Sequence, residues 1–369
     1  MILVLTQCFP SKLGGVESLV SNLALGLSKT ENVIVFADQH NFVQDSIFDN
    51  KYKKLILVRR FSGIKFLRRR KKIKEAKLLI KSKQIKLIIG DSWKSFELGA
   101  DYFKKNNIPM ASLAHGNELL SNNMNKIKRI KKTLNNVNGI IANSIYTKNL
   151  IKNLIDSHIP VDCIYPGAMD LRNIKSSVIT NIKGSPIILT LARLEKRKGH
   201  RYIIESVRKL LPEFPSLQYV IAGEGPEIKN LKKLVVDYRL QDNVIFTGFI
   251  NESEKKYIFE KTELMVMPTL DETKNRSIEG FGIAYLEAAF FGIPSIASNV
   301  GGTPEAVING STGLIIENMD QLFPTMKSIL NDKEKRQSLG KAAKQRSIKN
   351  FNWNDVIKKY ILVFNKTYN

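Results

Sequence analysis

The sequence predicts an α/β protein made of two doubly wound parallel-sheet domains, and three observations carry that prediction. Short apolar runs of Ile, Val and Leu recur along the chain without strict alternation, as in strands buried on both faces. Longer amphipathic stretches lie between them, the mark of strands joined by covering helices. The series then runs a second time, in a chain whose 369 residues suit about two domains.

Taken in order, the first series has strands at Ile2–Leu5, Val33–Phe36, Leu55–Val58, Leu87–Ile89 and Ile140–Ala142, with a further strand ending at Ala114. Helical patterns occupy Val16–Leu27 and Thr147–Ile155. Met1 to Thr6 is apolar but lacks the basic start and cleavage site of a signal peptide, so it reads as a first strand. Tyr165-Pro166-Gly167 closes the series, and the polar stretch from Asp170 to Gly184 reads as a linker. The second series has strands at Ile187–Leu191, Tyr219–Ala222, Val244–Phe246, Leu264–Met267 and Ser295–Ala297. Its helices are His200–Leu211, Glu227–Tyr238 and Ala284–Phe291, and Trp353–Tyr368 forms a last helix. The expected division is 1–168 for an N-terminal domain, 169–350 for a C-terminal domain, and 351–369 for a helix packing back toward the first. The two domains are expected to face each other across a cleft. Ligands of such sheets bind outside the carboxyl ends of the strands, so chemistry is sought in the loops that follow them.

Composition narrows the classes. Hydrophobic residues are 43% and charged residues 25%, which excludes wholesale disorder. Two cysteines, Cys8 and Cys163, exclude a disulfide framework and a zinc ribbon. The chain has no apolar run near the ~20 residues of a spanning helix, and it reads as cytoplasmic. The net charge is +24, and residues 51–86 carry 16 basic residues against one acid, Glu75. Compositional bias raises Lys everywhere but does not cluster it, so this stretch points to a polyanion or an anionic membrane surface.

Four loops could carry chemistry. Phe9 through Gly14-Gly15-Val16-Glu17 follows the first strand and opens a helix, so its glycines allow close backbone approach and its N–H groups favour an anion. Alone it reads more readily as an ordinary strand–helix turn, because Gly-Gly is common in turns. Arg193 and Lys198, in Ala192-Arg193-Leu194-Glu195-Lys196-Arg197-Lys198-Gly199, emerge where a diphosphate would need fixed positive charge. A solvated basic turn is the plain alternative. Glu279 and Glu287 lie eight residues apart around Phe281-Gly282-Ile283-Ala284, one before a helix and one inside it. That spacing addresses different parts of one ligand rather than forming a close acid/base pair; the alternative is a capped helix with two solvated acids. His115 follows a strand, and no other histidine stands at a metal-ligand spacing from it.

Together these loops resemble one family in chain order. The N-terminal pieces are Gly14-Gly15-Val16-Glu17, His115-Gly116, Ala142-Asn143-Ser144 and Tyr165-Pro166-Gly167. The C-terminal pieces are Arg193 with Lys198-Gly199, Ala222-Gly223-Glu224-Gly225-Pro226, Phe246-Thr247-Gly248, Glu279 with Glu287, and Gly301-Gly302-Thr303-Pro304-Glu305. The set resembles the retaining glycosyltransferases of family 4 (group 1), with the GT-B fold of two Rossmann-like domains. In motif style it is similar to bacterial lipid-directed mannosyl- and glucosyltransferases.

The resemblance implies metal-independent transfer of a hexose from a nucleotide diphosphate sugar to an acceptor hydroxyl, in glycolipid, lipopolysaccharide or exopolysaccharide synthesis. It implies that Arg193 and Lys198 bind the diphosphate, and that Gly14 and Gly15 lie against the donor. Glu279 and the backbone of Phe281, Gly282, Ile283 and Ala284 would meet the donor sugar. Glu287 would take the ribose, Phe249 and Ile250 the base, and His115 would stabilise the transition state. No cofactor is implied, and no Asp-x-Asp motif for a metal is present. The acceptor is expected to be lipid-linked or a saccharide. Arg68, Arg69, Arg70, Lys71 and Lys72 are expected at an anionic membrane surface, placing the enzyme on the inner face of the cytoplasmic membrane. The rival readings are a nucleotide-sugar epimerase of the same architecture and a basic nucleic-acid-binding protein. The latter would want aromatics interleaved with its cations, and residues 51–86 offer only Tyr52, Phe61 and Phe66.

Overall fold

The computed structural model describes residues 1–368. They form two units, each around one all-parallel sheet: residues 1–167 with the chain from Trp353 onward, and residues 168–352. The first unit holds β1 (Ile2–Leu5), β2 (Val33–Asp38), β3 (Ile56–Phe61), β4 (Leu87–Gly90), β5 (Met110–Ala114), β6 (Gly139–Ala142) and β7 (Val161–Cys163). Their spatial order is β3-β2-β1-β4-β5-β6-β7. The second unit holds β8 (Ile187–Leu191), β9 (Gln218–Ala222), β10 (Val244–Gly248), β11 (Leu264–Met267), β12 (Ser295–Ser298) and β13 (Gly313–Ile316), in the order β10-β9-β8-β11-β12-β13. Strand order reverses beside β1 in one sheet and beside β8 in the other, which opens a crevice at the carboxyl ends there.

Continuous apolar strands follow from burial on both faces. In the first unit Leu3, Leu5 and Ile88 pack with Phe96, Phe103 and Ile130, while Ile2, Val4 and Ile89 pack with Leu19, Leu23 and Tyr360. Tyr360 belongs to the helix Trp353–Tyr368, which lies on the helix Gly15–Leu27. Two glycines admit it: a side chain at Gly26 would meet Ile357, and one at Gly167 would meet the Trp353 ring.

Two strands and several helices lie outside the elements read from the sequence, among the helices Phe42–Tyr52, Met124–Leu134, Glu252–Lys261, Leu322–Asn331 and Lys333–Asn350. β7 and β13 are edge strands of three and four residues, half-buried for much of their length, so they lack the apolar run of a central strand. The helix Lys333–Asn350 buries only Leu339, Gly340, Ala343 and Ser347, small residues that leave no apolar periodicity.

The basic stretch is corrected more deeply. β3 extends through Arg59 and Arg60 to Phe61, beyond the expected end at Val58. The helix Lys65–Ser82 turns three of its five expected membrane residues inward. Lys72 is 5% exposed; its Nζ lies 2.5 Å from Asp38 Oδ1 and donates to the Thr6 carbonyl at 2.5 Å. Arg68 holds Asp38 Oδ2 at 2.7 Å. Arg69 binds Glu97 and donates to the Lys94 carbonyl at 2.7 Å. Only Arg70 and Lys71 of the five face solvent. The reason is periodicity: residues 69, 72, 73, 76 and 79 share the inward side of the helix, so cations recurring every three or four residues are carried to the core with Ile73, Ala76 and Leu79. They survive there because carboxylates meet them.

Breaking that pairing carries a definite cost. Lys72→Met strands part of the Asp38 charge and lowers unfolding free energy by about 3 kcal/mol. Lys71→Met next to it stays within about 0.5 kcal/mol of wild type. Denaturant titration of the two variants side by side checks both values.

Candidate active site

In the second unit the site is built on the turn after β8. Leu194 N–H donates to the Glu224 carbonyl at 3.0 Å, and the Leu194 carbonyl accepts from Glu227 N–H at 3.0 Å. Gly223 and Gly225 let the β9 loop come this close: a side chain at Gly223 would meet the Ala192 carbonyl, and one at Gly225 would meet the Leu194 backbone. The Ala222–Pro226 motif therefore braces the basic turn. Lys196–Lys198 form a single 3-10 turn, closed by Gly199 at φ 73°. The Arg197 carbonyl accepts from Leu270 N–H at 2.7 Å, which ties the turn to the loop after β11.

Glu279 stands opposite. Its Oε2 accepts from Lys198 Nζ at 2.5 Å and from Arg197 Nη1 at 2.9 Å. Only 13% of its side chain is exposed. Loss of water pushes the carboxyl pKa up, but Lys198 and Arg197 outweigh that and hold it below its ordinary value. Among the described residues Oε1 of Glu279 has no partner, so one oxygen is anchored and the other is open to a ligand. The Glu279 backbone is fixed as well, its carbonyl accepting from Gly302 N–H at 2.9 Å, while a side chain at Gly301 would strike that same carbonyl.

The two cations expected to act together are placed differently. Lys198 is buried on Glu279, whereas Arg193 is 72% exposed and reaches the cluster through Glu195, 2.9 Å from its guanidinium. Glu195 in turn accepts from Arg197 Nε at 3.0 Å. The order Arg193–Glu195–Arg197–Glu279–Lys198 thus alternates in sign. Arg197, read from sequence as surplus charge, is its centre. Nothing in a Lys-Arg-Lys run says which member turns inward.

The helix Ile283–Phe290 begins at Gly282, φ 100°, without a side-chain cap, so its first N–H groups are available to an acceptor. Phe281 is buried against Phe351, so its ring belongs to the core. Tyr285 pins the helix by donating to the Met267 carbonyl at 2.6 Å. Glu287 lies apart from the Glu279 cluster, buried and 3.0 Å from Lys255 Nζ. Lys255 had no sequence signal. Phe249 is 58% exposed after β10, and Ile250 beside it is buried.

In the first unit His115 follows β5. Its Nε2 lies 2.8 Å from the Asp91 carbonyl, which can only accept, so Nε2 carries a proton and Nδ1 is the acceptor of the tautomer this contact selects. His115 N–H donates to Glu118 Oε1 at 2.8 Å. Asp91, buried after β4, accepts from Thr6 Oγ1 at 2.8 Å, Gln7 N–H at 2.7 Å and Ser95 Oγ at 2.6 Å. It therefore ties the loops after β1 and β4 together, an acid that a polar residue directly after an apolar strand could have signalled. Gly14 and Gly15 are exposed, and the helix from Gly15 also starts without a side-chain cap.

Beneath the basic turn, Thr190 Oγ1 donates to the Val266 carbonyl at 2.5 Å. Its one proton is then spent, so Tyr219 donates to Thr190 at 2.9 Å, and His200 Nδ1–H donates to Tyr219 at 3.0 Å. His200 Nε2 is left buried without a hydrogen bond. Burial, helped by nearby Lys198 and opposed by the Arg193 backbone, pushes the imidazole down to about 4.

Comparison with known proteins gives a consistent picture. The family model described as Glycosyl transferases group 1 matches residues 172–346, and that described as Glycosyltransferase Family 4 matches residues 13–168. The chain is similar to a GDP-mannose-dependent alpha-(1-6)-phosphatidylinositol monomannoside mannosyltransferase of Mycolicibacterium smegmatis, 29% identical over 46% of this chain and 44% of that protein. It is similar over 95% of its length, and 94% of the other, to a GDP-mannose-dependent monoacylated alpha-(1-6)-phosphatidylinositol monomannoside mannosyltransferase of Corynebacterium glutamicum, at 24% identity. The chain spans about half the length of the first curated relatives it matches. Among solved structures, HepE of Anabaena with UDP and glucose superposes with a TM-score of 0.80 at 17% identity, covering 99% of this chain and 100% of that one. Sucrose-phosphate synthase of Thermosynechococcus elongatus gives 0.81 at 20%, covering 99% and 98%. These two likenesses establish the fold.

The His200 chain makes stability depend on pH. The unfolded imidazole titrates near its ordinary 6.5 and the folded one near 4. Between those values the unfolded chain binds more protons, so stability is complete above about pH 6.5 and falls toward pH 4. The full loss from this group is about 3 kcal/mol. His200→Gln, which keeps a donor for Tyr219 but does not titrate, flattens the dependence of the unfolding midpoint over that window.

Proposed function

The chain belongs to the group 1 glycosyltransferases of family 4 and has their GT-B fold, and we propose that it transfers a hexose from a nucleoside diphosphate sugar to the hydroxyl of a lipid-linked acceptor, with retention and without a metal. The observation that carries this reading is the Glu279 carboxylate, anchored through Oε2 by Arg197 and Lys198 with Oε1 open, beside an uncapped helix start.

In this reading Lys198 and Arg193 bind the diphosphate and stabilise it as it leaves, the work that Mg²⁺ does elsewhere. Glu279 Oε1 and the N–H groups from Phe281 to Ala284 take hydroxyls of the donor sugar. Glu287 accepts from the ribose hydroxyls, with Lys255 holding its other side, and Phe249 and Ile250 frame the base. Gly14 and Gly15 offer N–H groups to an anion, and His115 offers Nδ1 to a substrate hydroxyl. The bond from the anomeric carbon to the phosphate oxygen breaks through an oxocarbenium-like transition state. The acceptor oxygen bonds to that carbon on the same face, and its proton passes to the departing phosphate.

The relatives named for phosphatidylinositol mannosides support a lipid acceptor and make GDP-mannose the first donor to try. No helix among the described residues is long and apolar enough to cross a membrane. A surface for peripheral contact starts where the helix Lys65–Ser82 starts. Ile64, Phe66 and Leu67 are exposed there beside outward Arg70, Lys71 and Lys74, and Arg70 stacks over Phe66 at 4.0 Å. The membrane role therefore rests on these residues, not on Arg68, Arg69 and Lys72.

Transfer to lipid extract is measured with GDP-mannose and UDP-glucose, with and without EDTA. Wild type transfers from one donor at an unchanged rate in EDTA. Lys198→Ala and Arg193→Ala each lose at least ~10²-fold in turnover, the scale of a charge-assisted contact that strengthens in the transition state. Activity that EDTA abolishes and Mg²⁺ restores, or near-normal turnover in both variants, removes the reading. Vesicle sedimentation tests the surface separately. Wild type binds vesicles containing anionic lipid at low salt and leaves neutral ones. The triple variant Arg70→Glu, Lys71→Glu, Lys74→Glu loses most of that binding, at about 1 kcal/mol per basic residue near the surface.

A further inference from the structure

Lys198 has two calls on its charge. In the structure it is spent on Glu279, and in the proposed reaction it is needed by the diphosphate. If it alone held Glu279, each donor bound would leave that carboxylate without a counter-charge in a place water scarcely reaches, and burial would then favour its protonated form.

We propose that Arg197 is the positioning residue that keeps Glu279 ionised and aimed while Lys198 transfers to the diphosphate; the inference rests on the reading of the reaction given above. The geometry divides the two cations by mobility. Arg197 is 12% exposed and its planar fork is committed at both ends, Nε to Glu195 Oε2 at 3.0 Å and Nη1 to Glu279 Oε2 at 2.9 Å. Its backbone is tied to Leu270. A guanidinium so bridged cannot leave for a ligand without giving up two carboxylates at once. Lys198 is a point charge on a flexible stem, and besides Glu279 its Nζ has among the described residues only the Met267 sulfur, 3.5 Å away. One cation is built to stay and one to move, and both meet the same oxygen, so Oε1 keeps its direction through the exchange.

The charged and titratable groups that face Glu279 are Arg197 and Lys198 from the turn after β8 and Tyr285 from the helix Ile283–Phe290, with Glu195 one step further through Arg197. The Gly301-Gly302 loop brings none. Of these, Arg197 is the one whose loss lets Glu279 take up a proton at higher pH once Lys198 has moved.

The test is the pH profile of transfer in wild type, Arg197→Met, Arg197→Lys, Glu279→Gln and the double variant Arg197→Met/Glu279→Gln. Arg197→Met lowers turnover about 10- to 10²-fold, as loss of a charge-assisted hydrogen bond does. It also moves the acid limb up by about one pH unit or more, since the lost cation no longer favours the carboxylate. Arg197→Lys, which keeps the charge without the fork, lies between. In the Glu279→Gln background, removing Arg197 costs little further and moves no limb, because the two residues act as a pair. A loss in Arg197→Met by one factor at every pH, or losses that multiply in the double variant, overturns the inference. Absence of transfer by wild type with any donor instead overturns the reaction itself. The Arg197–Glu279 coupling is then read from unfolding midpoints: if Arg197→Met changes their pH dependence in wild type and not in Glu279→Gln, the positioning stands.

Discussion

A carboxylate with little access to water needs cations within hydrogen-bonding reach, and Glu279 takes two of them from consecutive residues of a single turn. Much of the second unit can be read as the scaffold this requires. The β9 loop braces the turn from below, the loop after β11 ties it from the side, and the Gly301-Gly302 loop fixes the Glu279 backbone. The glycines of these loops are needed because backbone meets backbone there. At Gly223, Gly225 and Gly301 a side chain would displace the atoms that set the turn or the carboxylate.

The first unit solves a similar problem with an acid whose hydrogen-bond donors are neutral. Asp91 is buried at the point where strand order reverses, and hydroxyls and backbone N–H groups satisfy it instead. A carboxylate met by several such donors fixes the loops that supply them. The backbone carbonyl of the same residue fixes the His115 ring and its protonated nitrogen. Both units thus place a constrained acid at the carboxyl ends of their central strands, where a doubly wound sheet presents loops to a ligand.

Charge in the sequence and charge at the surface differ here. The 16 basic residues of 51–86 look like one field, yet Arg60, Arg68, Arg69 and Lys72 are spent inside the first unit on Asp49, Asp38 and Glu97. Those acids lie before and after the basic stretch, in elements that only folding brings beside it. Most of the others stay exposed along the stretch, and those at the start of one helix, Lys65, Arg70, Lys71 and Lys74, are mixed with exposed Ile64, Phe66 and Leu67. An amphipathic surface of that kind suits an interface better than a uniform cationic one.

Two doubly wound parallel sheets, the positions of the central strands, and the loops that carry the motifs were all legible in the sequence. They depend on local quantities: apolar runs, helical periodicity, and glycines at strand ends. Edge strands β7 and β13 were not legible, because a strand buried on fewer sides has no continuous apolar run. The sequence reading did expect Trp353–Tyr368 to pack back toward the first unit, but the fit that seats it, Ile357 at Gly26 and Trp353 at Gly167, comes only with the fold. At the site, sequence supplied Glu279 and Lys198 but could not pair them. It ranked Arg193 above Arg197, although the structure leaves Arg193 in solvent and makes Arg197 the bridge. Residue type and spacing tell which charges a chain owns. Which charge meets which is decided only when loops distant in sequence converge at the carboxyl ends of one sheet, where exclusion of water makes every unpaired ion costly.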